Sequence, residues 1–380
     1  MTFIQQIDLS CRAEVEKFLQ LPYRLYRAVP QWVPPVQSDI RRMLEPHRHP
    51  FYRHSQAAFF LACRQKQGPA VARLAVLFHR PYNQHNHERT AFFYLFEAED
   101  DPEVVRALFA AGETWALKQG ADRLIGPKGF SPLDAMGVLV KGFEHRPAFG
   151  IPYNLPYYPA LLEACGFQPR EDILSGYLSG KAEFPSKIHQ IAERVIQKRG
   201  FRIAQLHSRA DLRRLIPRLS EMYNRAIMDT PGNAPIDSAE IEDILRQVLF
   251  FANLKLIKIL LKDEQPIGFL LAYPDISAAL QRTGGRLLPL GWLDWWLELK
   301  RTRWLNINGM GIVEEYRGLG GTAVLFSEMH KSIQGGCFQH VEIVQIGAEN
   351  QRMLRELRDI GVDFYKAHRL YGKQIGGNTR

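Results

Sequence analysis

Residues 314–326 read EEYRGLGGTAVLF, and they place three glycines within four positions between an arginine and an apolar run. Glycine loses the most backbone freedom of any residue on folding, so such a cluster indicates that a bare backbone is needed. The first amide groups of a helix lack internal partners and carry a partial positive charge, and glycines there allow a diphosphate to approach. The segment therefore predicts an anion site between a strand over 304–313 and a helix that continues to about residue 333. The alternative interpretation is an ordinary tight turn.

The loop residues themselves are the candidate phosphate contacts. They are Arg317, Gly318, Leu319, Gly320, Gly321 and Thr322, whose hydroxyl can cap the helix or donate to a phosphate oxygen. The spacing is not that of a Walker loop, because no Gly-Lys-Ser/Thr follows. It is not a dinucleotide fingerprint either, because no βαβ unit with a ribose-binding acid follows.

The order of predicted strands and helices is repeated in the two halves of the chain. Residues 57–78 and 253–273 each predict two strands around a polar turn that contains proline. Three residues of the first half have counterparts in the second at nearly equal spacing: Asn154, Gly166 and Tyr177 correspond to Asn350, Gly361 and Tyr371. We therefore predict two copies of one mixed α/β unit, an N-terminal unit over 1–185 and a C-terminal unit over 195–376.

The composition is that of a globular protein with a full core, since 46% of the residues are hydrophobic and 23% are charged. The four cysteines show no CxxC pair and no metal-ligand spacing, which favours a reducing compartment. We see no signal-peptide pattern, and no apolar run approaches the roughly 18 to 20 residues of a membrane span. These observations predict a cytoplasmic protein. The formal net charge of +9 indicates either an anionic partner or a well-solvated surface.

Two segments of the second half resemble the GNAT superfamily of acyl-CoA N-acyltransferases. VEEYRGLGGTAVLF resembles the family's pyrophosphate loop (Arg/Gln-x-x-Gly-x-Gly/Ala), and ENQRMLRELRDIGVDF resembles its later Asn-bearing helix. In the first half YNLPYYPALLEACGF resembles the later motif too, so the chain is similar to a bacterial group with two GNAT units in tandem. The resemblance implies an α/β fold in which each unit is a mixed, mainly antiparallel sheet flanked by helices.

The resemblance also implies an activity: transfer of an acyl group, with acetyl expected, from a CoA thioester to an amine by direct attack. Backbone amides at Ile312 and Val313 would then hold the pantetheine arm and stabilise the oxyanion, and Asn350 would belong to the cofactor site. Glu349 is the candidate base and Tyr365 the candidate acid. The alternatives are a surface glutamate and a packed tyrosine.

Only the second half carries the glycine loop. The first-half counterpart, FEAEDDPEVV, surrounds its helix start with carboxylates, which repel a diphosphate. We therefore predict one CoA site, within residues 200–375, and a first half that serves as scaffold and pocket wall. The chain departs from the family pattern at three positions, where Thr322 replaces glycine or alanine, Val362 replaces phenylalanine and Leu357 replaces tyrosine.

Three further segments bear on function. His79, His85 and His87 lack a carboxylate or cysteine at ligand spacing, so their segment is interpreted as a polar hairpin loop and no metal is expected. Residues 126–147 are an insertion suited to shaping a substrate pocket. Residues 287–304, LLPLGWLDWWLELKRTRW, predict a helix packed between the units, with a lid or a membrane contact as the alternatives.

Two other functions are compatible with the sequence. A Fem-like transferase would use the same tandem fold to take its acyl group from aminoacyl-tRNA, but this chain keeps the CoA loop and shows no heptads. The second compatible function is that of a catalytically silent CoA-binding or scaffold protein. In the leading interpretation the partner is a small-molecule or peptide amine, and nucleic acid enters only as the tRNA of the first alternative.

Overall fold

The computed structural model describes residues 2–132, 134–227, 232–251 and 253–376 of the chain. Within these ranges the strands are β1 (Phe3–Gln6), β2 (Gln56–Cys63), β3 (Ala70–Phe78), β4 (Thr90–Ala98), β5 (Arg123–Gly126), β6 (Val138–Lys141), β7 (Gln168–Ser179), β8 (Phe201–Ile203), β9 (Ile257–Lys262), β10 (Gln265–Pro274), β11 (Trp304–Ile312), β12 (His340–Gly347) and β13 (Asp363–Gln374). The α-helices are α1 (Arg12–Leu25), α2 (Gln37–Met43), α3 (Arg80–Asn86), α4 (Pro102–Lys118), α5 (Tyr158–Ala164), α6 (Ser186–Arg199), α7 (Arg209–Ile227), α8 (Ser238–Phe251), α9 (Ser277–Thr283), α10 (Gly291–Arg301), α11 (Gly321–Gln334) and α12 (Gln351–Asp359). Single 3₁₀ turns cover Pro50–Arg53, Leu254–Leu256 and Glu314–Tyr316.

All thirteen strands belong to one sheet. Its order is β1-β2-β3-β4-β5-β13-β7-β12-β11-β10-β9-β8, and β6 pairs with β13 beside this path. The described pairs are antiparallel except β4 with β5 and β11 with β12, which are parallel. The predicted strand pairs at 57–78 and 253–273 are confirmed as β2–β3 and β9–β10.

The last strands of the two halves are exchanged in this sheet. β13, from the C-terminal end, lies between β5 and β7 of the first half. β7 in turn pairs with β12 of the second half along His340–Gly347. The sheet is therefore continuous across the predicted boundary near residue 190, and each half completes the other.

The helices cover both faces of the sheet, and two of them begin at the segments FEAEDDPEVV and EEYRGLGGTAVLF. α4 starts at Pro102 after Asp101, whose carboxylate accepts from the amides of Glu103 and Val104. α11 starts at Gly321 and buries the stripe Val324, Leu325, Met329 and Ile333 against the sheet.

One local prediction is wrong. The segment around His79, His85 and His87 is not a hairpin loop, because residues 80–86 form the short helix α3 between β3 and β4. The ring of His79 accepts a hydrogen bond from the Tyr82 amide and so begins the helix, with Pro81 in its first turn.

Candidate functional site

The glycine loop adopts a shape that glycine alone tolerates well. Gly318 has a φ of 75° and Gly320 a φ of 92°, both in the left-handed region. A Cβ at Gly320 would also lie 2.5 Å from Cγ2 of Val195, on the neighbouring helix α6. The loop is thus constrained both by its backbone conformation and by close packing.

The start of α11 lacks a side-chain cap. Its N-cap residue, Gly320, has no side chain, and no side chain in the described part of the chain accepts a hydrogen bond from the first amides of the helix. The helix dipole adds partial positive charge there. The residues present fit a diphosphate group at this position.

Arg317 holds the loop in place. Its guanidinium donates from Nε to the carbonyl of Ile312 (3.0 Å) and from a terminal nitrogen to the carbonyl of Ala226 (2.6 Å). Its own amide donates to the carbonyl of Glu314. In this structure Arg317 therefore joins β11, α7 and the loop to one another.

Strands β11 and β12 separate before they reach the loop. Their pairing covers Trp304 to Ile307 on β11 and ends at the Ile307–Ile343 pair. Beyond it, Gly309 (φ 97°) and Gln345 (φ 61°) lie at irregularities of the two strands. The edge of β11 that faces β12 after Ile307 therefore offers main-chain groups to a ligand.

The two backbone amides predicted for the pantetheine arm lie at the end of this edge. The amide of Val313 donates to the carbonyl of Ile267 at 2.9 Å, so β10 already uses it. Ile312 is paired with Gly268 of β10, and its carbonyl accepts from Arg317.

In the first half the equivalent helix start, that of α4, is capped by a carboxylate of the chain itself. Asp101 caps α4, and the same carboxylate forms an ion pair with Arg64 at 3.0 Å. The start of α11 differs, because its N-cap residue has no capping side chain. The acidic segment FEAEDDPEVV predicted this difference between the two helix starts.

A large cavity, which we call the chamber, lies on the face of the sheet opposite α11. Its volume is about 310 Å³. Leu271 and Ile257 line it and pack with α7, whereas Leu270 and Leu305 pack with α11 on the other face. Both halves of the chain contribute to its wall.

One end of the chamber reaches the separated strands. Asn308, the first residue of β11 after the paired stretch, lines it together with Tyr273 of β10. The side-chain amide of Asn308 donates to the Tyr273 hydroxyl at 3.2 Å, and that hydroxyl donates to the backbone carbonyl of Phe149. Burial raises the pKa of Tyr273 to about 12.

A loop of the predicted insertion 126–147 closes the chamber beside β12. The side chain of Gln345 accepts from the amide of Met136 at 2.7 Å and donates to the carbonyl of the same residue at 3.1 Å. Within this loop the carboxylate of Asp134 lines the chamber and accepts from the amides of Phe130 and Ser131. Burial raises the pKa of Asp134 to about 6.

The first half supplies a buried polar cluster to the chamber. Glu97 accepts from the hydroxyls of Tyr26 (2.6 Å) and Tyr158 (2.7 Å), and Arg73 lies 3.9 Å from its other oxygen. Burial raises the pKa of Glu97 against the opposing charge of Arg73. Among the described lining residues the acidic ones are Asp39, Glu97 and Asp134, whereas Arg73 is the only cation.

The predicted base and its neighbour lie at the end of β12. Glu349 is exposed, and its charge raises the pKa of the nearby Glu171 beyond the effect of burial. The side chain of Asn350 accepts from the amide of Met353 at 3.1 Å and caps α12. Neither residue lines the chamber.

The predicted acid, Tyr365, lies in a second polar cluster. Its side chain interacts with that of Glu342, which also forms an ion pair with Lys366 at 2.6 Å. Burial raises the pKa of Tyr365 and of Glu342, and it lowers that of Lys366. Glu342 pairs with Asn306 across β11 and β12, so this cluster lies before the point where the strands separate.

Sequence reasoning missed the chamber and Asp134. The insertion at 126–147 was expected to shape a pocket, but nothing in SPLDAM marks a carboxylate for a role. No group of three His, Cys, Asp or Glu side chains in the described ranges is arranged to hold a metal ion. None of the helices in the same ranges has the length and apolar character that a membrane crossing requires.

Comparison with known proteins identifies the fold. No protein-family model matches the chain. It is 27% identical over 379 residues to the bacterial ceramide synthase of Caulobacter vibrioides, covering 97% of each chain, and 26% identical over 381 residues to protein YghO of Escherichia coli, covering 98% of this chain and 95% of that protein.

Solved structures extend the comparison. A tandem GNAT protein from the clavulanic acid biosynthesis pathway superposes with a TM-score of 0.58 at 12% identity and covers 100% of both chains. A GCN5-related N-acetyltransferase from Sphaerobacter thermophilus gives a TM-score of 0.52 at 13% identity, covering 98% of this chain and 96% of that one. The predicted resemblance and the mixed α/β fold class are thus confirmed, and the chain has the fold of the tandem GNAT proteins.

Proposed function

We propose that the protein is an acyl-CoA-dependent N-acyltransferase whose acceptor is a long-chain lipid amine. The observation that carries this proposal is the chamber, which ends at Asn308 where β11 and β12 separate. In this proposal the C-terminal unit, 195–376, binds the acyl-CoA, and the N-terminal unit, 1–185, supplies much of the chamber wall.

The acyl-CoA substrate would be held by the C-terminal unit. The amides of Gly320, Gly321 and Thr322 are proposed to bind the diphosphate, with Gly318 and Leu319 completing the loop. Arg317 is proposed to act by holding the loop, since its guanidinium already contacts two carbonyls. Asp101 fills the equivalent helix start of the first half, which supports one CoA site per chain.

The pantetheine arm would follow the free edge of β11 towards Ile312 and Val313. Because the amide of Val313 already donates to Ile267, the oxyanion donor is proposed to come from the edge between Asn308 and Ile312. Asn350 would support this site indirectly, since its side chain caps α12.

The chemistry of the chamber favours an amine with a hydrocarbon chain. Its volume lies in the range of roughly 300 to 1,000 Å³ that is common for small-molecule pockets. Among its described lining residues three are acidic and one is a cation, so it suits an ammonium group better than a carboxylate. The relative in Caulobacter vibrioides is named a ceramide synthase, and a ceramide is an amide of a long-chain amino alcohol.

Asp134 is the proposed general base. A carboxylate with a pKa of about 6 is still ionised near neutral pH and accepts a proton more readily than an ordinary one. It would take one proton of the ammonium group, and the free amine would attack the thioester carbonyl. The C–S bond would then break, and the second proton that the nitrogen loses would pass to the CoA thiolate, which leaves the amide and CoA. Tyr365 remains a proposed donor to that thiolate, and Glu349 a proposed second base, although neither lines the chamber.

Amide formation tests the proposal. The purified protein is incubated with acetyl-CoA or palmitoyl-CoA and with either sphinganine or ethanolamine, and the amide is measured by mass spectrometry together with released thiol. We expect amide from sphinganine and much less from ethanolamine. Thermal shift with CoA, desulfo-CoA and tRNA is run in parallel, because stabilisation by tRNA alone would favour the aminoacyl-tRNA alternative.

A matched pair of variants tests the chamber itself. Ala135 lines the chamber, whereas Ala110 is exposed on α4, so each receives the same Ala→Phe change. Ala135→Phe should reduce turnover of sphinganine about tenfold or more, as expected for overpacking of a filled pocket, while Ala110→Phe should not. Equal turnover in the two variants would refute the placement of the lipid.

A further inference from the structure

Helix α10 and the turn before it expose an apolar surface. Five large apolar side chains, the docking patch, are exposed here: Leu288 (74%), Leu290 (70%), Trp292 (48%), Leu293 (40%) and Trp296 (47%). Among the described residues only Phe3, Leu117 and Ile196 are other large apolar residues exposed to a similar degree, and they lie on other elements. The patch is thus a concentration of exposed apolar surface on one short segment.

The opposite face of the helix fixes its orientation. Trp295 is 1% exposed and packs with Val33, Val36 and Leu280, and its indole nitrogen donates to the hydroxyl of Thr283 at 3.0 Å. α10 is therefore anchored, and its docking patch points away from the protein. We predicted that residues 287–304 form a helix packed between the two units, but this face of α10 is exposed.

The acidic groups beside the docking patch are paired, whereas its basic groups are exposed. The two acidic residues of the segment, Asp294 and Glu298, both form ion pairs with Arg282 of α9, at 2.9 and 2.5 Å. The basic residues Lys300 and Arg301 are exposed at the end of the helix, and the Lys300 ammonium lies 3.6 Å from the centre of the Trp296 ring. A surface of leucine and tryptophan next to lysine and arginine has the chemistry of a helix that lies in the interface of an anionic bilayer.

The buried face of α10 packs against the wall of the chamber. Val33, Val36 and Leu280 pack against Trp295 on one side and line the chamber on the other. We infer that α10 docks the protein onto an anionic phospholipid surface, with Trp292 and Trp296 inserted among the lipid chains. This placement would bring the chamber wall close to the layer in which a lipid amine resides, although the docking itself does not depend on acyl transfer.

Vesicle binding by the full-length protein tests the inference. Flotation with phosphatidylcholine vesicles, with and without phosphatidylglycerol, gives the partition coefficient. We expect binding that is stronger on the anionic vesicles. The double variant Trp292→Gln/Trp296→Gln should lower the coefficient by roughly 30-fold, because two half-exposed aromatic side chains no longer enter the lipid.

Two further variants separate charge from apolar contact. Lys300→Gln/Arg301→Gln should weaken binding roughly tenfold on anionic vesicles and little on neutral ones. Phe3→Gln/Leu117→Gln changes two exposed apolar residues elsewhere and should leave binding unchanged. Since all these side chains are exposed, circular dichroism should show the same thermal unfolding for each variant.

Either of two results would overturn the inference. One is the absence of vesicle binding, or equal binding by the wild type and by Trp292→Gln/Trp296→Gln. The other comes from sedimentation velocity: a dimer that this variant converts to monomer, without any vesicle binding, would assign the docking patch to a second copy of the chain.

Discussion

Adding one methyl group at Gly320 tests whether the glycine loop requires its observed shape. Gly320 has a φ of 92°, and a new Cβ would lie 2.5 Å from Cγ2 of Val195. Gly318 is a matched control, because its φ is 75° but a Cβ there would meet no atom within 4 Å. The two Gly→Ala variants therefore share the backbone cost and differ in the steric contact.

The magnitudes follow from these two contributions. A left-handed conformation costs a non-glycine residue about 1–2 kcal/mol, which is the whole effect expected for Gly318→Ala. The contact with Val195 adds about 1–3 kcal/mol of overpacking in Gly320→Ala. We expect Gly320→Ala to lose about 2–5 kcal/mol of unfolding free energy in total.

Urea denaturation and calorimetry with CoA measure the outcome. In a Val195→Ala background the contact is absent, so the cost of Gly320→Ala should fall to about that of Gly318→Ala, a coupling of about 1–3 kcal/mol. We also expect Gly320→Ala to weaken CoA binding, because the displaced loop amides lose contact with the diphosphate. Each 1.4 kcal/mol of binding free energy lost in this way raises Kd about tenfold. Equal losses at Gly318 and Gly320, with no rescue by Val195→Ala, would refute the geometry of the loop.

Three further outcomes follow from the structure. Asp134→Asn should lower kcat about 10²–10⁴-fold and abolish the rise of the wild-type pH–rate profile through about pH 6, whereas an unchanged profile would exclude Asp134 as the base. Burial lowers the pKa values of His49, His79 and His368 to about 4, so these groups contribute stability as neutral side chains. That stability is complete above about pH 6.5 and is lost as the pH falls towards 4, by up to about 3 kcal/mol each. Urea midpoints should therefore fall across this range, although protonation of Asp134 opposes the effect, and midpoints that do not change would contradict the prediction. A fragment of residues 1–185 lacks β13 and so leaves β5 and β7 without their shared partner, and we expect it to aggregate or to lack a cooperative thermal transition by circular dichroism, in contrast to a folded monomer.

The local features of the fold were legible in the sequence. Strand patterns predicted β2–β3 and β9–β10, the segment FEAEDDPEVV indicated the start of α4, and the glycines near 320 indicated the start of α11. These signals depend on neighbouring residues, so one sequence is enough to read them. The resemblance to a known superfamily added the order of the elements.

Long-range features could not be read in the same way. The exchange of β7 and β13 between the two halves of the sheet depends on pairing between residues such as Ile173 and His368, which are far apart in sequence. Part of the chamber wall comes from segments without periodicity, including Val33 to Val36 and the loop of Asp134. The pKa of Asp134 depends on burial that only the assembled fold provides.

The dependence of kcat/KM on the length of the amine is the most direct test of the central claim. For a series of linear alkylamines with one acyl-CoA, an apolar chamber should contribute about 0.8 kcal/mol per methylene, so kcat/KM should rise about fourfold with each added carbon until the chamber is full. A plateau after that rise is the result that we predict. Values of kcat/KM that do not change with chain length, or that fall from the shortest amine onwards, would contradict the account.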